Sequence, residues 1–271
     1  MKKTVFYLFN LFIGFVVLFS CGTTNEIEVD PIPQKSFIIK GIAQKMLYQG
    51  DGSDSSNCVI NYSYFEKGEL SYRDSVNQKI KSYITLITQF ERKSNVNSKL
   101  TDSFFSAQLD SFELIYKSEV EAEIYHLWSL ESSIDIDDSH DDFVQLQLSG
   151  WSYTGGAHGN GATNTYIIEK STGKEVLFND FFSDPTAVTK LAEVYFRKLF
   201  ELENDADLEE AGFWFENNQF HLNNNFSIVG DKIVFLYNRY EIAPYSGGET
   251  VLEISIEEIK SFINSKYLGN L

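Results

Sequence analysis

The stretch Tyr153-Thr-Gly-Gly-Ala-His-Gly-Asn-Gly161 places four glycines within residues 155–161. Glycine allows positive φ and a close approach of main chain to another group. Tyr153, Gly155, Gly156, His158, Gly159 and Asn160 therefore form a candidate ligand-contacting loop. A dinucleotide turn runs G-x-G-x-x-G into a helix. Here the spacing is reversed, Gly156-x-x-Gly159-x-Gly161, and a strand pattern follows, which excludes nucleotide binding. A second stretch, Tyr240-Glu-Ile-Ala-Pro-Tyr-Ser-Gly-Gly248, sets the rings of Tyr240 and Tyr245 beside Pro244 and Gly247. Aromatic faces next to flexible backbone suit stacking on a sugar or packing against a protein. Each loop has a structural alternative. The first is a tight crossover whose His158 satisfies buried backbone. The second is a folded-over loop whose tyrosines seal the core.

Other chemistry is excluded by spacing. The histidines are His126, His140, His158 and His221, and no two stand three to five residues apart, so a local zinc-binding pair is absent. There is no G-x-S-x-G elbow and no C-x-x-C. Asp135, Asp137, Asp138, Asp141 and Asp142 invite a calcium reading. An EF-hand counted from Asp135 meets His140 where it needs glycine and Leu146 where it needs glutamate; a solvated acidic turn is expected. No catalytic residue, cofactor or metal ligand is assigned, and the expectation is a protein that is not an enzyme.

The chain opens with Lys2 and Lys3, then an apolar run from Val5 to Phe19. Fifteen residues is short for a membrane span, which needs ~20, and matches the apolar part of a secretory leader. The run ends Leu18-Phe19-Ser20-Cys21-Gly22, which resembles a bacterial lipoprotein signal. That implies a leader over 1–20 and acylation of Cys21. Several acyl chains on one cysteine anchor stably, where one holds only marginally. Residues 21–35 are polar and acidic with two prolines, a tether that holds the rest off the membrane. Loss of the leader with Lys2 and Lys3 takes the formal charge from −17 to −19. Such a balance excludes nucleic acid as partner. With Cys21 lipidated, Cys58 stands alone in an alternating strand pattern and reads as a buried small hydrophobe.

The elements that must position the two loops follow from periodicity. The 271 residues are 43% hydrophobic, enough for a real core. Strands are expected over 36–41 and 58–65 with a loop over 50–56. A helix is expected over 72–90, with Val76, Ile80, Ile84 and Ile87 on one face, and another over 102–119, with Phe105, Leu109, Phe112 and Tyr116. Two strands follow over 124–134 and 143–153. In the second, Val144, Leu146 and Leu148 alternate with Gln145 and Gln147, which predicts a sheet with one wet face. A hairpin over 164–169 and 175–178 flanks Ser171-Thr-Gly-Lys174. Asp184 caps a helix with Pro185 at its first position, whose buried stripe is Val188, Leu191, Ala192, Tyr195, Leu199 and Leu202. A hairpin over 226–229 and 233–237, a strand over 250–254 and a helix opened by the capping box Ser255-Ile-Glu-Glu258 complete the chain. Grouped helices and strands give an α+β class: antiparallel sheets with helices grouped on one side, and two closely packed subdomains over 36–170 and 171–265.

At the two glycine-bearing motifs, with Ser171-Thr-Gly-Lys-Glu-Val-Leu-Phe178, Asp180-Phe-Phe182 and Phe226 in support, the chain resembles the extracytoplasmic module of RsiV-type anti-sigma factors. That module also precedes the catalytic domain of PdaC-type peptidoglycan deacetylases. The resemblance covers most of 36–265 and implies a PdaC-like first unit and an RsiV-like second. In the anti-sigma factors the region binds lysozyme. The expected chemistry here is recognition at the cell envelope by a lipid-anchored module facing the periplasm or the exterior. Its partner would be a peptidoglycan-related glycan or a cationic wall-degrading protein such as lysozyme. Glycan would stack on Tyr240, Tyr245 or Trp151; a cationic protein would be drawn by net charge. Neither the sigma-binding segment nor the deacetylase histidine pair is seen, so those activities do not carry over. The alternative is a cell-wall hydrolase or deacetylase with an unrecognised site.

Overall fold

Five strands form the larger sheet in the order β1-β2-β3-β4-β5. The computed structural model describes residues 38–49, 54–66, 71–89, 99–121 and 127–271. Expectations for the leader, Cys21, the tether, residues 50–53, residues 124–126 and His126 lie outside these. β1 (Ile38–Gln49) and β2 (Asp54–Phe65) are antiparallel, with Ala43 opposite Ile60. β1 runs eight residues past its expected end at Gly41, and Asp54 to Ser56 are strand rather than loop. β3 (Ser129–Asp137) lies parallel to β2, with Cys58 opposite Leu130. A parallel pair needs a long crossover, and α1 (Ser71–Gln89) and α2 (Asp102–Glu121) lie between the two strands in sequence. β3 starts later than expected: Leu127 and Trp128 are not strand, and the Trp128 amide donates to Ser56 Oγ at 2.8 Å. β4 (Phe143–Tyr153) and β5 (Asn160–Glu169) continue antiparallel.

Both helices bury the stripes that their spacing predicts. Val76, Ile80 and Ile84 of α1 and Phe105, Leu109, Phe112 and Tyr116 of α2 sit in the core, while Ile87 is only partly covered. They meet the sheet face carrying Cys58, Ile60, Tyr62 and Leu146. Phe105 stacks on Tyr62 at 3.9 Å between ring centroids. Cys58 is fully buried, as its strand pattern implied, and burial pushes its thiol up to about 12.

The second sheet, β6 (Phe226–Val229), β7 (Lys232–Tyr237) and β8 (Thr250–Ser255), is antiparallel throughout. Its core is rich in phenylalanine, with Phe181, Phe182, Phe196, Phe226 and Phe235 fully or nearly fully buried. Three expectations need correction here. Residues 175–178 do not make a strand: Glu175 forms a single bridge to Ile168, and Phe178 already begins the one-turn helix α3 (Phe178–Phe181). α4 (Pro185–Leu199) is capped by Asp184, whose carboxylate accepts from Ala187 N at 3.0 Å, but it buries Phe196 and leaves Leu199 half exposed. The last helix, α5 (Ile256–Ile259), is a single turn. Ser255 Oγ accepts from Glu257 N, whereas Glu258 accepts from the Tyr195 hydroxyl at 2.6 Å instead of closing a capping box.

The two hydrophobic clusters meet on β4 and β5. Val144, Leu146 and Leu148 point to the helices, while Phe143 and Ile167 belong to the phenylalanine-rich cluster. The expected wet face is therefore dry at Gln145. Its amide lies buried against β6, accepting from Ile228 N at 2.7 Å and donating to Ile228 O at 3.1 Å. Farther along, Gln147 is exposed, so the face opens to water toward Trp151. The architecture is mixed α+β, as grouped helices and strands predicted.

Candidate ligand-binding surface

The glycine-rich stretch is the connection from β4 to β5. Gly155 and Gly156 take φ of 107° and 94°, and Tyr153 Oη donates to Gly156 O at 3.0 Å. Gly159 serves a different purpose. A methyl group there would stand 2.3 Å from Trp151 Cζ2, so the indole needs bare backbone beside it. β5 begins at Asn160, four residues earlier than its expected start at Asn164. His158 and Asn160 are exposed. The exposed His158 ring nonetheless serves buried backbone, its Nδ1 lying 2.9 Å from the carbonyl oxygen of the buried Gly159.

The second stretch leaves β7 and returns into β8. Glu241 anchors it: its carboxylate accepts from Asn238 N at 2.8 Å and from Asn223 Nδ2 at 2.6 Å. Ile242 is buried and its carbonyl accepts from Trp214 N at 2.8 Å. These two ties hold the loop down and turn the residues around them outward. Tyr240 sits at φ 66°, a conformation that costs a non-glycine residue roughly 1–2 kcal/mol, and is 48% exposed. Pro244 and Gly247 are exposed around a short turn, and Gly248 reverses the chain at φ 74°.

The structure brings the two loops together. The imidazole of His158 stacks on the Tyr245 ring at 3.8 Å and 17°, and Tyr245 Oη donates to Gly159 O at 3.0 Å. Tyr240 lies 5.5 Å from Tyr245 and 6.4 Å from His158 between centroids. The tyrosines therefore do not seal the core; Tyr245 is half-buried by the opposite loop. Two asparagines set this proximity. Asn238 Oδ1 accepts from Thr163 N at 2.8 Å, and Asn225 Oδ1 accepts from Thr165 N at 2.8 Å, so side-chain amides complete the free edge of β5.

Two hollows flank the loops. On the open sheet face a hollow of about 310 Å³ includes Ser133, Ser149, Trp151, Thr163, Arg239 and Glu249 in its walls. Arg239 Nη1 donates to Glu249 Oε1 at 2.7 Å, and its guanidinium lies 5.6 Å from the Tyr245 ring centroid. On the helix side, a cleft of about 960 Å³ runs between α1 and the ends of β3, β4 and β5, with Tyr83, Leu86, Tyr166 and Asn160 in its walls. Lys79 closes part of it, 4.0 Å from the Tyr166 centroid and 2.6 Å from Glu175. Burial and then the Glu175 charge push the Tyr166 hydroxyl upward.

Chemically, this surface offers rings, hydroxyls, amides and bare main chain. The loop carboxylates Glu241 and Glu249 are both engaged in fixing backbone or guanidinium, a positioning role. Among the described residues, no group of three His, Cys, Asp or Glu side chains is arranged to hold a metal ion. Of the five aspartates, Asp135, Asp137 and Asp141 are exposed, whereas Asp138 is mostly covered and pairs with Lys170 at 2.8 Å. Sequence reasoning missed Arg239, Glu249, Ser149 and Thr163. The outward positions of β4 at alternate residues were the available signal for Ser149 beside Trp151; nothing local marked the Arg239–Glu249 clasp.

Two sheets, a helical crossover and a clasped pair of loops define an α+β class already represented among solved structures. The family model described as a protein of unknown function (DUF3298) matches residues 179–257, a stretch that includes the second loop. A DUF3298 family member from Bacteroides fragilis has the same fold, at 18% identity and a TM-score of 0.65, over 86% of this chain and 95% of that one. A DUF3298 family protein from Pseudomonas aeruginosa aligns at 17% identity and a TM-score of 0.58, over 86% of this chain and 97% of its own. No curated protein matches the chain.

Proposed function

We propose that this protein is a lipid-anchored, non-enzymatic binding module of the bacterial cell envelope, and that its paired loops recognise a peptidoglycan-related glycan. The observation that carries the reading is the meeting of His158, Tyr240 and Tyr245 from loops more than 80 residues apart in one exposed cluster. Rings backed by fixed main chain stack on sugars without further ordering, which keeps the entropic cost of binding low. The likeness to RsiV-type and PdaC-type modules supports an envelope setting. Cys21 supplies the anchor in this reading, and a Cys21→Ser chain is expected in the soluble rather than the membrane fraction.

A second reading, capture of a cationic wall-degrading protein such as lysozyme, is supported by the formal charge of −17. Both are tested by retention on purified sacculi and on immobilised lysozyme, comparing the full chain with a His158→Ala/Tyr245→Ala chain. Retention on sacculi that the double variant loses supports the glycan reading. Equal retention of both chains, or none, overturns it, and loop-dependent retention on lysozyme alone replaces it with the second. Release of soluble muropeptides by the purified chain in the same assay would overturn the non-enzymatic assignment.

A further inference from the structure

We propose that the hollow on the open face of the five-stranded sheet is a saccharide subsite, with Trp151 as its stacking platform and a neutral pyranose as its occupant. The proposal rests on the glycan reading of the paired loops. It adds the residue that meets the ring and the charge class of the sugar.

Trp151 sits near the end of β4 with Glu131 of β3 directly opposite on one side and Gly161 of β5 on the other. Trp151 and Glu131 project from the same sheet face, as cross-strand partners do, and Gly161 leaves bare main chain beside them. The indole lies along the bare backbone of β5. A methyl at Gly159 would reach within 2.3 Å of Cζ2, and one at Gly161 within 3.3 Å of Cδ1. Two glycines thus hold the ring from beneath while 40% of the residue stays exposed. That combination, a ring immobilised by main chain and open to water, is what stacking on the C–H face of a pyranose requires.

The rest of the hollow matches a sugar's equatorial hydroxyls. Ser149 Oγ accepts from Thr163 Oγ1 at 3.1 Å, leaving a chain of hydroxyls beside the platform. The guanidinium of Arg239 is held at the rim by Glu249. This ion pair is neutral as a unit, so it supplies directional donors and acceptors without favouring an ionic ligand. Glu131 is exposed beside Trp151 and repels carboxylated or phosphorylated chains. A hollow of about 310 Å³ lies at the lower end of ligand-site sizes, ~300–1,000 Å³, which suits one or two sugar rings.

The test uses the full chain and a soluble neutral probe, an N-acetylglucosamine tetramer, with an oligogalacturonate as the anionic comparison. Trp128 is buried and Trp214 lies outside the hollow, so a Trp214→Phe chain reports through Trp151. A saturable blue shift with the tetramer and none with the oligogalacturonate is expected. Trp151→Ala should weaken tetramer binding at least ten-fold, while Trp151→Phe, which keeps a ring, should stay within about three-fold of the parent. If Trp151→Ala misfolds, the shift in the Trp214→Phe chain still decides. Sacculus retention by the parent chain with no tetramer response, unchanged binding by Trp151→Ala, or equal binding of the anionic probe each overturns the subsite and leaves the loop reading standing. Failure of the parent chain on sacculi overturns the loop reading itself.

Discussion

At the residue scale, the two kinds of glycine in the first loop do different work, and a methyl group separates them. At Gly159 the obstacle is the Trp151 ring at 2.3 Å; at Gly156 nothing lies within 4 Å, and only the φ of 94° demands glycine. Gly159→Ala is expected to displace the indole, to cost about 1–3 kcal/mol as overpacking does, and to shift tryptophan emission. Gly156→Ala is expected to cost roughly 1 kcal/mol through backbone strain and to leave emission unchanged. Urea unfolding followed by fluorescence checks both, and indistinguishable spectra of the two variants would contradict the stack. Cys58 offers a second residue-scale prediction. Burial favours its neutral form and raises its pKa from 9.0 to about 12. The stability gained by burying the thiol is complete below pH 9 and is lost as pH rises from 9 towards about 12. In a Cys21→Ser chain, a thiol reagent at pH 8 should label nothing until the protein is denatured.

At the scale of elements, side-chain amides join the two sheets. Gln145 closes on both main-chain groups of Ile228, and Asn225 and Asn238 complete the edge of β5. Gln145→Leu keeps the volume and strands a buried N–H and C=O. It is expected to destabilise by roughly 1–3 kcal/mol for each group left unpaired and to speed amide exchange at Ile228. Unchanged exchange there would show that the amide is dispensable. The same clamps explain what the sequence could and could not reveal. α1, α2, α4 and β4 were legible because each buries a periodic stripe, and β6 and β7 because Gly230-Asp231 punctuates them. Gln145 read as a solvent-facing position, since its partner lies 83 residues away and alternation says nothing about what covers a polar face. β1 runs past its expected end at Gly41 into a stretch where Lys45 pairs with Asp110 and Glu113 of α2, a tertiary contact that no local pattern marks. The loops of the candidate site were visible by composition; their meeting was not, because Asn238 and Asn225 set it across 60 residues or more.

At the scale of the whole molecule, charge and the candidate site are of different character, and that difference separates the two ligands. The formal charge is −17, and residues 199–230 hold seven acids with neither lysine nor arginine. All seven side chains are exposed. Around the loops, by contrast, Arg239 offsets Glu249, and rings and hydroxyls dominate. A cationic protein would be steered by the global field, so its association rate should fall steeply as added salt shortens the screening length from ~30 Å at 0.01 M to ~8 Å at 0.15 M. A neutral glycan gains nothing from that field. It is held by stacking and hydrogen bonds, which this range of salt leaves nearly untouched. Retention on sacculi is therefore expected to change by less than about two-fold across the range, and lysozyme association, where it occurs, to slow by an order of magnitude or more. A sacculus affinity that collapses with salt would mean that the acidic surface, and not the ring cluster, makes the contact.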